Sequence, residues 1–266
     1  MSHTIQPREM LFIDVRAAEG LTTAYLNDVP VARVGVPTRE SAHPPAPREA
    51  KPVHQLVVPG INHLRVEIDG PSTRALARLV WLDEGEVADS DSAGRLVAEV
   101  GLPPADEPGR PEEALPLVET ASFDLGPAFG VPFWCAASQI VLDGETLDRA
   151  EGALRAMGNA LDRGDGDRFL QLLAPYLDDA LRAYPGLERV DLERIHRAYA
   201  KEIGAGGRVE VAPRERWVPR IVGGGRLLDL RDDEGAPVVT ITFPDGRGVP
   251  YALLMGWRDG VSLFVR

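Results

Sequence analysis

The stretch VLDGETLDRAEGALRAMGNALDRGDGDRFLQLLAPYL, residues 141–177, is where the chain changes its hydrophobic period. Upstream, apolar residues recur at every second position. From here they fall at Leu147, Ala150, Leu154, Met157 and Leu161, a spacing of three and four that gathers them on one helical face. A Gly164-Asp165 turn follows, and Asp167 can cap a second helix that carries Phe169, Leu170, Leu173 and Leu177. Asp191 can cap a third, with Leu192, Ile195, Tyr199 and Ile203 on one face and Gly204 as its stop. The remainder returns to strands. Val239, Ile241 and Phe243 alternate with Thr240 and Thr242, and Asp259-Gly260 between Trp257 and Val261 is a two-residue hairpin signal. Helices first and an antiparallel meander second predict an α+β domain over residues 144–266, its helices packed on a curved antiparallel sheet.

Working back from residue 143, the apolar residues come in short runs broken by Gly, Pro and Asn-Asp, the pattern of strands and turns. Leu11, Ile13 and Val15 alternate with Phe12, Asp14 and Arg16; Leu64, Val66 and Ile68 alternate with His63, Arg65 and Glu67. Such alternation places one face on a core and the other in water. Further strands are expected over 21–26, 29–34, 53–58, 75–82, 94–100, 117–124 and 133–142. So many short strands predict an antiparallel β-sandwich over residues 1–143. Two segments interrupt it: 37–52 and 103–116 hold ten of the 23 prolines and read as exposed loops.

The chain has 266 residues, 44% hydrophobic and 26% charged, which excludes disordered, collagen-like and disulfide-scaffold classes. Its net charge is −12, which argues against nucleic acid or an anionic membrane face as partner. The charge is unevenly placed. Residues 1–143 hold 11 basic and 21 acidic side chains, whereas residues 144–266 hold 18 and 20. Within 83–113 lie ten acids, namely Asp83, Glu84, Glu86, Asp89, Asp91, Glu99, Asp106, Glu107, Glu112 and Glu113, against only Arg95 and Arg110. Cys135 is the only cysteine, so there is no internal disulfide and no multi-thiolate zinc site. The start shows no secretory signal, and no run approaches the roughly 20 apolar residues of a membrane span. A cytoplasmic setting is the expectation.

On the residues quoted, AMGNALDRGDGDRFLQLLAPYL (156–177) resembles the opening of nuclear-transport-factor-2-like, or SnoaL-like, domains, through Leu161, Gly164, Asp165, Phe169, Leu172, Leu173, Ala174 and Pro175. The resemblance implies two helices and then a strongly curved sheet, which the closing PYALLMGWRDGVSLFVR suits. It departs from the family at 177–203, helical here where the family often inserts a strand. In the first half, AYLNDVPVARV with VVPGINHLRVEI is similar to β-sandwich modules in which Asn62, after Gly60, bonds the turn backbone. The whole chain resembles, in style, accessory and immunity proteins of bacterial toxin systems.

Candidate chemistry is sparse. His196 shares the apolar face of the third helix, where a cone-shaped domain would open a pocket, with Trp217, Asp229, Tyr251 and Trp257 as further lining residues. The plainer reading gives His196 a backbone carbonyl and Asp229 a salt bridge with Arg231 or Arg226. His3, His43, His54 and His63 read as surface histidines. Asp89 to Gly94 begins like a calcium loop but lacks its closing glutamate, and Asp162, Asp165 and Asp167 have the wrong spacing, so no metal site is assigned. Gly223-Gly224-Gly225 sits between two strands and reads as a turn, as does 204–207. Cys135 reads as a small core residue on a strand, and no G-x-S-x-G elbow occurs. No catalytic residue and no cofactor are nominated.

These readings favour a non-catalytic protein-binding protein, of the immunity or adaptor kind in a type VI secretion-like system. Its contact residues are Asp83, Glu84, Glu86, Asp89, Asp91, Asp106, Glu107, Glu112 and Glu113, facing a partner with a basic surface. Self-association is left open. The alternative is a small-molecule binder or an isomerase- or hydrolase-type enzyme using the C-terminal pocket.

Overall fold

The structure is a computed structural model and describes residues 9–17, 20–36, 48–69, 75–83, 86, 94–102, 116–126, 130–184, 186–258 and 261–265. The chain divides into two compact units, one of Met1–Pro132 with Arg182–Gly186, the other of Phe133–Leu181 with Leu187–Arg266. The period change at 143/144 therefore lies inside the second unit. The strand expected over 133–142 is absent, because Phe133–Ala136 forms a 3₁₀ turn with Trp134 buried. The chain also returns once to the first unit, at residues 182–186, which no periodic signal marks.

The first unit is built from β1 (Glu9–Ala17), β2 (Gly20–Leu26), β3 (Val29–Val36), β4 (Arg48–Pro52), β5 (Ile61–Asp69), β6 (Ala75–Asp83), β7 (Arg95–Leu102) and β8 (Leu117–Asp124). They form two four-stranded antiparallel sheets, ordered β4-β1-β6-β7 and β3-β2-β5-β8. Leu11, Ile13 and Val15 on β1 and Leu64, Val66 and Ile68 on β5 are buried, as their alternation requires. The opposite face of β1 is not all in water: Asp14 is 2% exposed and accepts from Arg16 and Arg48, so the charge is neutralised where it is buried. Residues 53–58, expected as a strand, instead hold a 3₁₀ turn at His54–Leu56 behind Pro52.

β2 and β3 join through Asn27 (φ +52°) and Asp28 (φ +63°), the left-handed pair that a tight hairpin needs. The buried Asn62 binds the Val58–Gly60 turn as expected, accepting from Val58 N–H at 2.9 Å and donating to the Val58 and Gly60 carbonyls. It also accepts from Asn27 at 2.8 Å, which ties the hairpin to the turn.

In the second unit, α1 (Gly144–Asp162) opens on Asp143, whose carboxylate accepts from Thr146 N–H at 2.8 Å. Gly164 (φ +66°) turns the chain into α2 (Gly166–Ala183), and a Cβ on Gly204, at the end of α3 (Arg189–Gly204), would strike its backbone. The caps differ from expectation by one turn geometry. Asp165, not Asp167, accepts the first-turn N–H of α2, from Arg168 at 2.9 Å, and Asp191 lies inside the first turn of α3, which Glu188 precedes. Pro175 sits within α2, which runs on to Ala183.

The strands that follow are β9 (Arg208–Val211), β10 (Val218–Val222), β11 (Leu227–Arg231), β12 (Val239–Thr242), β13 (Gly248–Pro250), β14 (Leu254–Arg258) and β15 (Val261–Val265). They make two antiparallel sheets, β10-β11-β14-β15 and β13-β12-β9, in place of a single sheet; an Arg231–Pro237 bridge links β11 towards β12. Asp259-Gly260 lies outside the described residues, and Arg258 pairs with Val261 across it. Phe169, Leu154, Met157, Leu228, Ile241 and Phe264 are at the centre of the core. Of the third helix's expected face, Ile203 is buried and Leu192 and Tyr199 pack on the core, but Ile195 is 58% exposed.

Candidate functional site

Three places carry polar chemistry: the expected pocket, the acidic segments, and a cleft beside the start of α1.

The five residues expected to line a pocket in the second unit do not line one cleft together. Trp217, Tyr251 and Trp257 belong to its packed core. The Trp217 indole N–H donates to the Ala212 carbonyl at 2.7 Å. Asp229, 4% exposed, takes Arg231 Nε at 3.0 and 3.1 Å. His196 is half-buried, with Nδ1 2.8 Å from the Leu192 carbonyl, and its ring stands about 6 Å from those of Phe169 and Tyr176. His196 and Asp229 are thus each engaged within their own element, the plainer reading for both.

Of the nine acidic contact residues, Asp83 and Glu86 are described and exposed; Glu84, Asp89, Asp91, Asp106, Glu107, Glu112 and Glu113 lie outside the described residues. A turn joins the two described ones, Glu86 N–H to Asp83 carbonyl at 3.0 Å and Asp83 N–H to Glu86 carboxylate at 2.9 Å. The sequence places these acids in one run, and β7 divides it. Trp81 pairs with Arg95 at one end of the β6–β7 ladder and Ala75 with Leu102 at the other. The segment 84–93 therefore attaches at one end of β7 and the segment from residue 103 at the opposite end, roughly 25 Å away at the usual strand rise.

The cleft has a volume of about 340 Å³. Its floor is Trp257 on β14, and one wall is the segment Ser138–Val141. That segment is fixed by backbone bonds: Ser138 N–H donates to the Trp257 carbonyl at 2.8 Å and Ile140 N–H to the Gly225 carbonyl at 2.9 Å. Gly223, Gly224 and Gly225 all have positive φ and form the β10–β11 turn, as read from sequence; a Cβ on Gly225 would collide with Gln139. The other wall is the first turn of α1. The Thr146 hydroxyl donates to the Val141 carbonyl at 2.7 Å, and the Thr146 N–H holds the Asp143 carboxyl below the usual carboxylate range. One helical turn on, the Arg149 guanidinium lies 5.3 Å from the centre of the Trp257 ring. The Trp257 indole nitrogen is buried and has no hydrogen-bond acceptor among the described residues. Among the described residues no carboxylate lines the cleft. The sequence reading placed Trp257 in a different pocket, with His196, and pointed to none of Ser138, Thr146 and Arg149; residues 133–142 read as a strand there.

Two other residues correct the sequence reading. His54 is fully buried: Nδ1–H donates to the Ala183 carbonyl at 2.7 Å, Nε2 accepts from Leu11 N–H, and the ring stacks on Tyr184 and meets Trp81 edge-on. Burial, with the Arg182 charge nearby, pushes its pKa down to about 4. His63 is exposed and bonds Ser122. Cys135 is half-buried in the 3₁₀ turn and not on a strand. Among the described residues no group of three His, Cys, Asp or Glu side chains could hold a metal ion, and no helix is long and apolar enough to cross a membrane.

Comparison of the chain with known protein families, with curated proteins and with solved structures finds no match.

Proposed function

We propose that this protein is a non-catalytic binding protein for a protein partner, an adaptor or immunity protein of a bacterial toxin-delivery, type VI secretion-like system, working in a reducing cytoplasm. The observation that carries the binding reading is the localisation of charge: ten acids against two bases within residues 83–113, in a chain whose second half is nearly balanced. A dense field of one sign raises the rate of encounter with a surface of the other sign and falls with salt. In architecture, the reading takes the two sheets of the first unit as a β-sandwich. β5 lies alongside β6 and β7, and β1 alongside β2 and β3, which supports that arrangement. It takes the second unit as nuclear-transport-factor-2-like, supported by the α1–Gly164-Asp165–α2 order and the antiparallel strands that follow. The cytoplasmic setting is supported by the presence of a single cysteine, which leaves no internal disulfide.

The test is affinity capture from the native host with two charge-reversed variants, one with Glu84, Glu86, Asp89 and Asp91 changed to lysine, the other with Asp106, Glu107, Glu112 and Glu113 changed to lysine. Because the two groups attach at opposite ends of β7, each variant reports one end. The reading expects a captured protein whose association slows on the order of tenfold in at least one variant and in raised salt. Capture that neither variant nor salt alters overturns it.

A further inference from the structure

Of the chain beyond residue 132, only Arg182–Gly186 belongs to the first unit. Within it Ala183, the last residue of α2, and Tyr184 hold to the 3₁₀ turn His54–Leu56. The His54 Nδ1–H donates to the Ala183 carbonyl at 2.7 Å, the His54 and Tyr184 rings stack with centres 4.8 Å apart, and the Tyr184 hydroxyl donates to the Gln55 side-chain carbonyl at 2.5 Å. Three contacts thus converge on two adjacent residues, and two of them use one imidazole. The rest of that ring faces the strands: Nε2 accepts from Leu11 N–H on β1, and Trp81 on β6 meets the ring edge-on.

An added proton goes to Nε2, where it faces the Leu11 N–H in a fully buried position. The Ala183 carbonyl favours the charge, but burial outweighs it and the Arg182 charge adds to the opposition, so the pKa falls to about 4. Around the ring stand Arg182 and Tyr184 on the docked side, uncharged Leu11 on β1, and Trp81 on β6 with Arg95 over its indole at 5.8 Å. Water reaches an imidazolium here only when one wall lifts. β1 and β6 are the central strands of β4-β1-β6-β7, each laddered on both sides, whereas Tyr184 lies just past the end of α2. The wall that lifts at least cost is therefore the Ala183–Tyr184 side.

We propose that Ala183 and Tyr184 form an acid-released latch on the first unit: a proton taken up by His54 undocks them from the 3₁₀ turn while the two sheets stay folded. Once open, the ring holds its proton at the ordinary value of 6.5, so the open population rises as pH falls below 6.5 and levels off below about 4. Between pH 7.5 and 5 the rise is about 25-fold.

The test is amide hydrogen exchange followed by NMR on the full chain at pH 7.5, 6 and 5, each rate taken relative to that of an unstructured amide at the same pH. Leu11, whose N–H bonds the His54 ring, and Ala183 are expected to exchange through one shared opening that becomes about 25-fold more frequent from pH 7.5 to 5. Ile13, fully buried on the same strand and paired with Lys51, reports unfolding of the unit. Leu11 and Ala183 should open at least about tenfold more often than Ile13 at every pH, and low urea should speed Ile13 alone, because a local opening exposes little surface. In His54→Gln, whose amide can serve the same two partners without titrating, the opening should not depend on pH. Tyr184→Phe, which loses the Gln55 bond, should open several-fold more often at each pH and keep the same rise. Exchange of Leu11 and Ala183 no faster than that of Ile13 overturns the proposal, since only global unfolding then exposes them. Protection of the two amides that does not change with pH also overturns it, as does an undiminished pH rise in His54→Gln or an opening that Tyr184→Phe leaves unaltered.

Discussion

The Nδ1 atom of His54 lies 2.7 Å from the carbonyl oxygen of Ala183, 129 residues further along the chain. With Leu11 N–H pointing at Nε2, one ring nitrogen must donate and the other must accept. Only the neutral imidazole does both. A proton added at Nε2 would face the Leu11 N–H donor inside a buried site, so the folded state resists protonation.

Acid should therefore weaken the first unit through this residue. The pKa is lowered from 6.5 in the unfolded chain to about 4 in the folded one. Between those values the unfolded chain binds the extra proton, so unfolding free energy falls as pH drops through 6.5 and the loss levels off below about 4, at roughly 3 kcal/mol. Above pH 6.5 His54 gives no slope. Urea denaturation at pH 7.5, 5.5 and 4 should show this slope in the parent protein and a shallower one in His54→Gln, whose amide does not titrate. Parallel slopes in the two proteins would show that His54 is not the source.

Asn62 fixes the same unit from inside. Its amide serves Val58 N–H, the Val58 and Gly60 carbonyls and the Asn27 side chain, all with Asn62 itself fully buried. Asn62→Ala leaves several of these groups without partners and is expected to lose about 3 kcal/mol in chemical denaturation. Asn62→Asp keeps the acceptor but loses both donated bonds and buries a charge, and it should be at least as damaging. A loss under about 1 kcal/mol would mean that water replaces the amide.

These residues show what was legible in the sequence and what was not. Alternation in β1, β5 and β12 and the three-four spacing of α1 are local consequences of burial, and they were readable to within a residue or two. Asn62 was readable because its partners Val58 and Gly60 are its chain neighbours. His54 was not: its environment comes from Leu11, Trp81, Ala183 and Tyr184, and no local pattern announces a contact across 129 residues. Asp14 was misread for the same reason, since Arg48, which neutralises it, comes from another strand. The cleft was missed because PFWCAASQIVL has strand-like composition while its backbone is spent on a 3₁₀ turn and on single bonds to Trp257 and Gly225.

Asp229 and Arg231 make a separable pair on β11. Their side chains are 6% and 20% exposed, with Nε 3.0 Å from Oδ1. Arg231→Ala strands a carboxylate among Leu228, Leu230 and their neighbours and is expected to lose about 3–5 kcal/mol. Asp229→Asn with Arg231→Gln removes both charges and should recover at least half of that loss, because two neutral amides need far less solvation. A double variant no more stable than Arg231→Ala would mean that the position itself, and not the stranded charge, sets the loss.

The β10–β11 turn separates backbone strain from contact within three consecutive residues. Gly224 has φ +63° and open space where a Cβ would go; Gly225 has φ +88°, and its Cβ would meet Gln139. An Ala at either position adopts an unfavourable left-handed conformation, which alone costs about 1 kcal/mol. Gly225→Ala must also displace the Gln139 side chain and disturb the Ile140 bond to the Gly225 carbonyl, so it should lose about 2 kcal/mol and shift the backbone amide resonance of Ile140. Gly224→Asn, a residue tolerant of that conformation, should lose less than about 0.5 kcal/mol. Thermal denaturation ranks the three variants, and equal losses at Gly224→Ala and Gly225→Ala would show that strain alone governs the turn and that Gln139 yields freely.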